Sequence, residues 1–302
     1  MAAAIASIFS TLRQRRVPID VFDVVNVGAL IVLCVVMAYP LWYTVVGSLM
    51  EESEFLTKRF LLYPERPTLA GYQKVFEDGT IFIHYRVTVL ITVVGTVFSL
   101  FVTSVSAYGL SKKFYGSTFL VYLAVFTMFI RPGLIADYLN LRSLGLINSF
   151  LVYILPASIN TFYLIIMRTY FIEFPSELEE AARIDGSTEF GTFIRIVLPL
   201  SKPVLAAIGL FFAVQYWNTY MQSVFFVTDQ RLKTVQEYLQ RLVTDSTDIE
   251  NLMAAAEVED TKFSAESLRL ANVVLVLIPI ILVYPFLQKY FIRGLMIGAV
   301  KG

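Results

Sequence analysis

The chain has 302 residues, a formal net charge of zero, 57% hydrophobic residues and a mean hydropathy of +0.69. A soluble domain is roughly 45–50% apolar, so this composition excludes an ordinary soluble fold and indicates a polytopic protein set in a lipid bilayer. A neutral balance gives no basis for a nucleic-acid partner, and one cysteine, Cys34, excludes an internal disulfide or a cysteine metal cluster.

Residues 1–23 open on a short amphipathic pattern, Ile5, Ile8, Phe9 and Leu12, followed by Arg13, Arg15 and Arg16. No small-residue cleavage site follows a long apolar core. The segment therefore reads as a cytoplasmic interfacial helix rather than a signal peptide. About 20 apolar residues cross a bilayer as a helix. By that measure the transmembrane domain, 24–293, holds six spans, at about 24–48, 86–110, 117–131, 148–171, 203–227 and 269–292. The third is short and breaks at Arg131-Pro132-Gly133. Two connections are long. One is 51–83, with Pro and Gly around a short helical run. The other is 228–268, with a helix predicted over 234–243 and an acidic stretch over 245–260. Loops this long are usually functional or disordered.

An even number of spans puts both termini on one side. Lys and Arg divide evenly between the two sides, so the short loops and tails decide the orientation. Lys112 and Lys113 in the tight second connection, with the arginines before the first span, place both termini and the tail 294–302 in the cytoplasm. The polar stretch 174–203 falls on the same side, and the two long loops fall outside.

That stretch, FPSELEEAARIDGSTEFGTFIRIVLPLSKP, is the one charged, helix-forming element between two membrane-length segments. Ser176 and Glu179 have capping-box spacing, and Glu179 and Arg183 can pair at i,i+4. At 3.6 residues per turn, Leu178, Ala181, Ala182 and Asp185 share a small-residue face. Gly186 sits where a helix takes a left-handed residue after its end. Ser187 can cap a second helix with the stripe Phe190, Phe193, Ile194 and Val197, which Pro199 and Pro203 stop. The pattern is helix, glycine corner, helix. It suits a surface met by another protein, or an ordinary amphipathic loop.

The fifth span carries the densest polar set, Gln215, Tyr216, Trp217, Asn218, Tyr220 and Gln222, with Gln215, Asn218 and Gln222 predicted on one helical face. The fourth adds Asn160 and Tyr163, with Pro156 breaking its regularity. Polar groups in a membrane face a cavity or a partner helix. Amides can read sugar hydroxyls and aromatic rings can stack on sugar C–H faces, so these residues are candidates to line a sugar path; helix–helix hydrogen bonds are the plainer alternative. Cations near membrane borders could meet an anionic solute. Arg131 joins the candidate set, and His84 and Arg86 also lie near membrane borders, where interfacial anchoring is the simpler role. His84 is the only histidine and has no nucleophile or cysteine at motif spacing. No catalytic residue or metal ligand is expected. The chain contains no GxxxxGK[ST], so ATP-driven transport would hydrolyse ATP, with its Mg²⁺, on another polypeptide, and no cofactor is expected here. An ion-coupled secondary transporter, the competing class, favours inverted repeats and acidic residues at mid-membrane. The spans hold almost no Asp or Glu, and no internal repeat is evident.

Glu180-Ala181-Ala182, three residues, Gly186, nine residues, then Ile196-Val197-Leu198-Pro199 resembles the EAA motif of ABC importer permeases at every specified position. RTYF…PSELEEAARIDG…RIVLPLSKPVLA and the ending KYFIRGLMIGAVKG look like the carbohydrate-importer, maltose-type branch, and most like permeases for acidic oligosaccharides such as aldouronate and alginate. The resemblance covers about 68–302. It implies an all-α, six-span, type I ABC importer permease fold in the bacterial cytoplasmic membrane. It also implies a cytoplasmic coupling loop, 174–201, whose Glu179, Glu180, Ala181, Ala182, Asp185, Gly186, Ile196, Leu198 and Pro199 serve docking to an ATPase. The implied partners are a second homologous permease, two ATP-binding subunits, an extracytoplasmic solute-binding protein and an oligosaccharide. A tail that reaches the ATPase dimer is a further implication. A permease for a neutral sugar is the alternative within the family.

Overall fold

The computed structural model describes residues 21–51, 54, 57, 62–130, 132–244 and 264–299, with 284–299 given as backbone alone. Every regular element among the described residues is a helix. In a bilayer each backbone N–H and C=O must be satisfied within the chain, which selects helices for a sequence this apolar. The N-terminal amphipathic pattern, the acidic stretch 245–260 and Arg131 lie outside the described residues.

Helix α1 (Val21–Gly47) is apolar along its length, and only its end is buried, at Val46 and Gly47. Helix α2 (Ala70–Asp78) is the short run expected in the first long loop, and a left-handed Gly79 turns it into α3 (Thr80–Ser111). Helix α3 is the centre of the molecule. It begins about two turns before its predicted start. Its buried positions, Thr88, Ile91, Gly95, Ser99, Thr103 and Ala107, recur every three or four residues and form one narrow seam of mostly small side chains. Between helices in lipid, association comes from close packing and hydrogen bonds rather than from the hydrophobic effect, and a small-residue seam permits that approach.

Three of the six expected spans match single elements poorly. Helix α4 (Ser117–Thr127) stops four residues before the predicted end. At 1.5 Å per residue it spans about 17 Å, short of a hydrocarbon core of about 30 Å. The expected span 148–171 is interrupted around Pro156 into α6 (Leu151–Ile154) and α7 (Thr161–Ile172), after the short α5 (Leu134–Ser143). The expected span 203–227 breaks at 218–220 into α11 (Lys202–Trp217) and α12 (Met221–Phe226). Among the described residues, three helices are long and apolar enough to cross a membrane unbroken: α1, α3 and the stretch Ala265–Val283 of α14 (Ala265–Ala299). Helix α14 runs through the expected tail as far as Ala299.

Seam and neighbours meet most closely where α3 crosses α11. A Cβ on Gly95 would lie 2.8 Å from the Tyr216 ring. The Tyr216 hydroxyl shares a 2.7 Å hydrogen bond with Ser99 Oγ and donates to the Ile154 carbonyl at 3.3 Å, tying α3, α11 and α6 together. The 3₁₀ turn Gln230–Leu232 leads into α13 (Val235–Thr244), the amphipathic helix expected in the second long loop to within a residue. Its Val235, Tyr238 and Leu242 bury against Val75, Ile81, Leu268 and Val276.

Candidate coupling surface and transport pathway

The polar stretch folds as two helical arms about Gly186. The first arm is α8 (Ser176–Ile184), entered from Pro175 with no side-chain cap. The expected capping box does not form: Ser176 is already helical, and Glu179 leaves its own helix to pair with Lys112 at the end of α3. The expected i,i+4 pair is replaced too, because Arg183 turns across the corner to Glu189, 2.7 Å away. Both of its partners are well exposed, so this pair is worth at most about 1 kcal/mol. The helix ends in a Schellman arrangement. Gly186 has φ +80°, its N–H donates to the Arg183 carbonyl at 3.1 Å, and the Ser187 N–H donates to the Ala182 carbonyl at 2.9 Å.

The second arm is capped one residue later than expected, by Thr188, whose Oγ1 accepts from the Gly191 N–H at 3.1 Å. It comprises α9 (Glu189–Thr192), a π-helical turn (Phe193–Val197) and α10 (Leu198–Leu200). Pro199 does not stop it. Lacking an N–H, Pro199 removes one ladder bond, and the turn before it is the widened π segment. The stop comes at Ser201, where the arm meets α11 at 84° and Pro203 opens the next helix. Of the predicted stripe, Phe193 and Val197 are fully buried, whereas Phe190 and Ile194 are exposed.

The two faces of α8 are now distinct. Glu179 and Ala182, three apart, turn inward, and Ala182 is only 5% exposed. Glu180, Ala181, Asp185, Leu178 and Ile184 are exposed. Ala182 therefore leaves the expected outer face, and Ile184, an apolar side chain at 86% exposure, joins it. Ile196 and Leu198 are half-buried and Pro199 exposed, at the root of the second arm.

The polar set on the fifth span is not one face, because the break at 218–220 separates Gln215 and Asn218 from Gln222. Tyr216 is buried in the helix crossing. Trp217 is half-buried, its ring 6.2 Å from that of Tyr85. Asn218 is exposed, donates to the Val214 carbonyl at 2.9 Å and borders an apolar groove between α3, α11 and α14 with Val93, Leu210, Pro279 and Ile280. Tyr220 and Gln222 are half-buried beyond the break. Asn160 caps α7, its Oδ1 accepting from the Phe162 N–H at 3.0 Å and the Tyr163 N–H at 3.4 Å. Tyr163 stacks on Phe211 and meets Phe212 edge-on. His84 is not an interfacial anchor. It is 2% exposed, stacked at 4.8 Å on Tyr238, with Nδ1 3.0 Å from the Lys233 carbonyl oxygen. Among the described residues no group of His, Cys, Asp and Glu could hold a metal ion.

Residues 87–297 match the family described as the inner membrane component of binding-protein-dependent transport systems. The chain belongs to this family. It is an ABC importer permease, a transport subunit whose ATPase is a separate chain. The permease is 38% identical over 282 residues to a polygalacturonan/rhamnogalacturonan transport system permease of Bacillus subtilis, covering 93% of this chain and 98% of that one. It is 27% identical to the trehalose/maltose transport permease of Thermococcus litoralis, over 91% of this chain and 95% of the relative. A crystal structure of a bacterial ABC transporter that imports the acidic polysaccharide alginate superposes with a TM-score of 0.85 at 31% identity, covering 90% of the permease and 96% of the matched chain. The all-helical, type I permease fold follows.

Sequence reading missed the inner side of this permease's polar stretch. Lys112 served there only as a marker of orientation, yet it carries the contact to Glu179 and lies 4.3 Å over the Tyr108 ring. Tyr108 in turn stacks on Phe193 at 4.9 Å and meets Phe171 edge-on at 5.9 Å. The available signal was a cationic residue at the end of a long span facing an acidic helix, but one-dimensional spacing does not say which of two neighbouring glutamates turns inward.

Proposed function

We propose that this permease forms half of the translocation path for an oligosaccharide, paired with a second homologous permease, and that its 174–201 loop docks on an ATP-binding subunit. One observation carries the docking reading: α8 presents Glu180, Ala181, Ile184 and Asp185 outward beside a left-handed glycine corner, while Glu179 and Ala182 hold it to the bundle. An exposed isoleucine next to small and acidic residues suits a protein cleft better than water. The motif match, the family and the short basic loops support a cytoplasmic position for this surface and for both termini. Two ATP-binding subunits and an extracytoplasmic binding protein complete the proposed importer. An acidic cargo such as an alginate oligomer is supported by the named cargoes of two similar proteins; the maltose-type relative favours a neutral sugar as the second reading.

Two measurements test this. Gly186→Val places a β-branched residue at φ +80°, a conformation such side chains avoid. Apart from its chain neighbours, nothing lies within 4 Å of the new Cβ, so the effect acts through the corner itself. The expected result is loss of ATPase co-purification and of uptake, with the permease still present in the membrane; an assembled, transporting variant would overturn the docking role. Uptake of length-matched uronic and neutral oligosaccharides by vesicles holding the assembled importer tests the cargo. Preference for the uronic series is expected, and preference for the neutral series would establish the second reading.

A further inference from the structure

We propose that Lys112 and Glu179 form an intrachain latch that carries movement of the coupling helix α8 directly into the central span α3, a non-covalent route beside the covalent ones back into α7 and forward through the second arm into α11. The inference rests on the reading that α8 meets the ATPase.

The geometry that supports it is concentrated at the end of α3. Lys112 is the residue at which that helix ends, with its backbone already extended, so its side chain projects from the terminus itself. Its ammonium contacts the Glu179 carboxylate and sits over the Tyr108 ring. A cation at a helix C-terminus is additionally favoured by the helix dipole. The contact is shielded: the Glu179 side chain is 14% exposed and that of Lys112 34%, against 62–65% for the Arg183–Glu189 pair on the same loop. Charges so placed are screened less by water and salt. Beneath the pair, Tyr108, Phe171 and Phe193 form an aromatic contact that joins α3, α7 and the π turn of the second arm. From α7, Arg168 Nε donates to the Leu110 carbonyl at 2.9 Å and steadies the same last turn of α3.

The consequence is mechanical. Along the chain a shift of α8 reaches the bundle backward through residues 173–175 into α7, or forward through Gly186, the second arm and the 84° bend at Ser201. Each of these can absorb motion by changing backbone angles. The latch bypasses these links and delivers the displacement to α3, whose seam packs on α11 through Gly95, Ser99 and Tyr216. Glu179 and Glu180, adjacent in sequence, thus divide the work. Glu180 faces the partner, and Glu179 acts as a positioning residue that faces the bundle.

The test uses the full importer complex with its ATPase subunits, compared without nucleotide and with ATP plus vanadate, and reads amide hydrogen exchange in the segments 176–186 and 106–112. The variants are Lys112→Glu, Glu179→Lys and the double exchange, with Lys112→Gln, Glu179→Gln and their double in case the charge reversals fail to assemble. In the unaltered complex both segments should change exchange on ATP binding. In each single variant the change at 176–186 should persist while the change at 106–112 is lost, and the double exchange should restore it. For the Gln series the double should lose no more than either single, the signature of one shared interaction. A response at 106–112 that persists in the singles, or a double exchange that fails to restore it, overturns the latch. An unaltered complex with no response at 176–186 instead overturns the docking reading beneath it, so the two failures are distinguishable.

Discussion

Tyr216 shows how far a residue's meaning depends on its neighbours. As one of a run of amides and aromatics it reads as a pathway side chain, and only the structure sets it against Gly95, with its hydroxyl between Ser99 and Ile154. A glycine in a long apolar helix carries no sequence label that tells close approach from simple tolerance. Gly95→Ala would place its Cβ 2.8 Å from a ring wedged between three helices, and overpacking of this kind costs about 1–3 kcal/mol. Tyr216→Phe removes only the hydroxyl bonds, which inside a membrane average about 0.6 kcal/mol. Thermal unfolding of the purified importer should therefore rank Gly95→Ala well below Tyr216→Phe. The reverse order would mean that the hydroxyl network, not the close approach, holds the crossing. By contrast, the role of Gly186 was legible, because its helix signals end one residue before it and a left-handed residue must follow.

At the scale of elements, three of the long apolar runs became unbroken helices, and both short helices in the long loops lay where punctuation and periodicity placed them. The breaks were harder. Pro156 marks one, but the interruption at 218–220 falls at Asn218, Thr219 and Tyr220, none of which is a helix breaker by itself. The caps were misplaced by a residue or replaced outright, because a tertiary partner such as Lys112 outcompetes a local one for Glu179. Asn160 illustrates the ambiguity that results. Its side chain caps α7, which explains an amide at that point without any cargo. If capping is its work, Asn160→Asp and Asn160→Ser should unfold at the temperature of the unaltered permease and transport the same sugars. Asn160→Ala should be destabilised by about 1 kcal/mol. A change in sugar preference in the Asp or Ser variant, with stability unchanged, would return Asn160 to the pathway.

For the whole molecule, the decisive quantity is which way round it sits. Hydropathy finds the spans, but cations are evenly divided, so orientation depends on the few that lie in short loops. The structure adds a pair of reporters. Ile184, at the corner of the polar stretch, and Gln240, on the outer face of α13, are both exposed and lie on loops assigned to opposite sides. With Cys34 replaced by serine, Ile184→Cys and Gln240→Cys each give a single thiol. A membrane-impermeant maleimide should label Gln240→Cys in intact spheroplasts and leave Ile184→Cys unlabelled until the membrane is opened or inverted. Masking of Ile184→Cys on adding the ATPase subunits to inverted vesicles would then connect orientation with docking, since the same exposed corner must be both cytoplasmic and covered. Labelling of Ile184→Cys from outside would reverse the topology. It would also remove α8 from any contact with a cytoplasmic ATPase, because an element on the outer surface has no access to ATP.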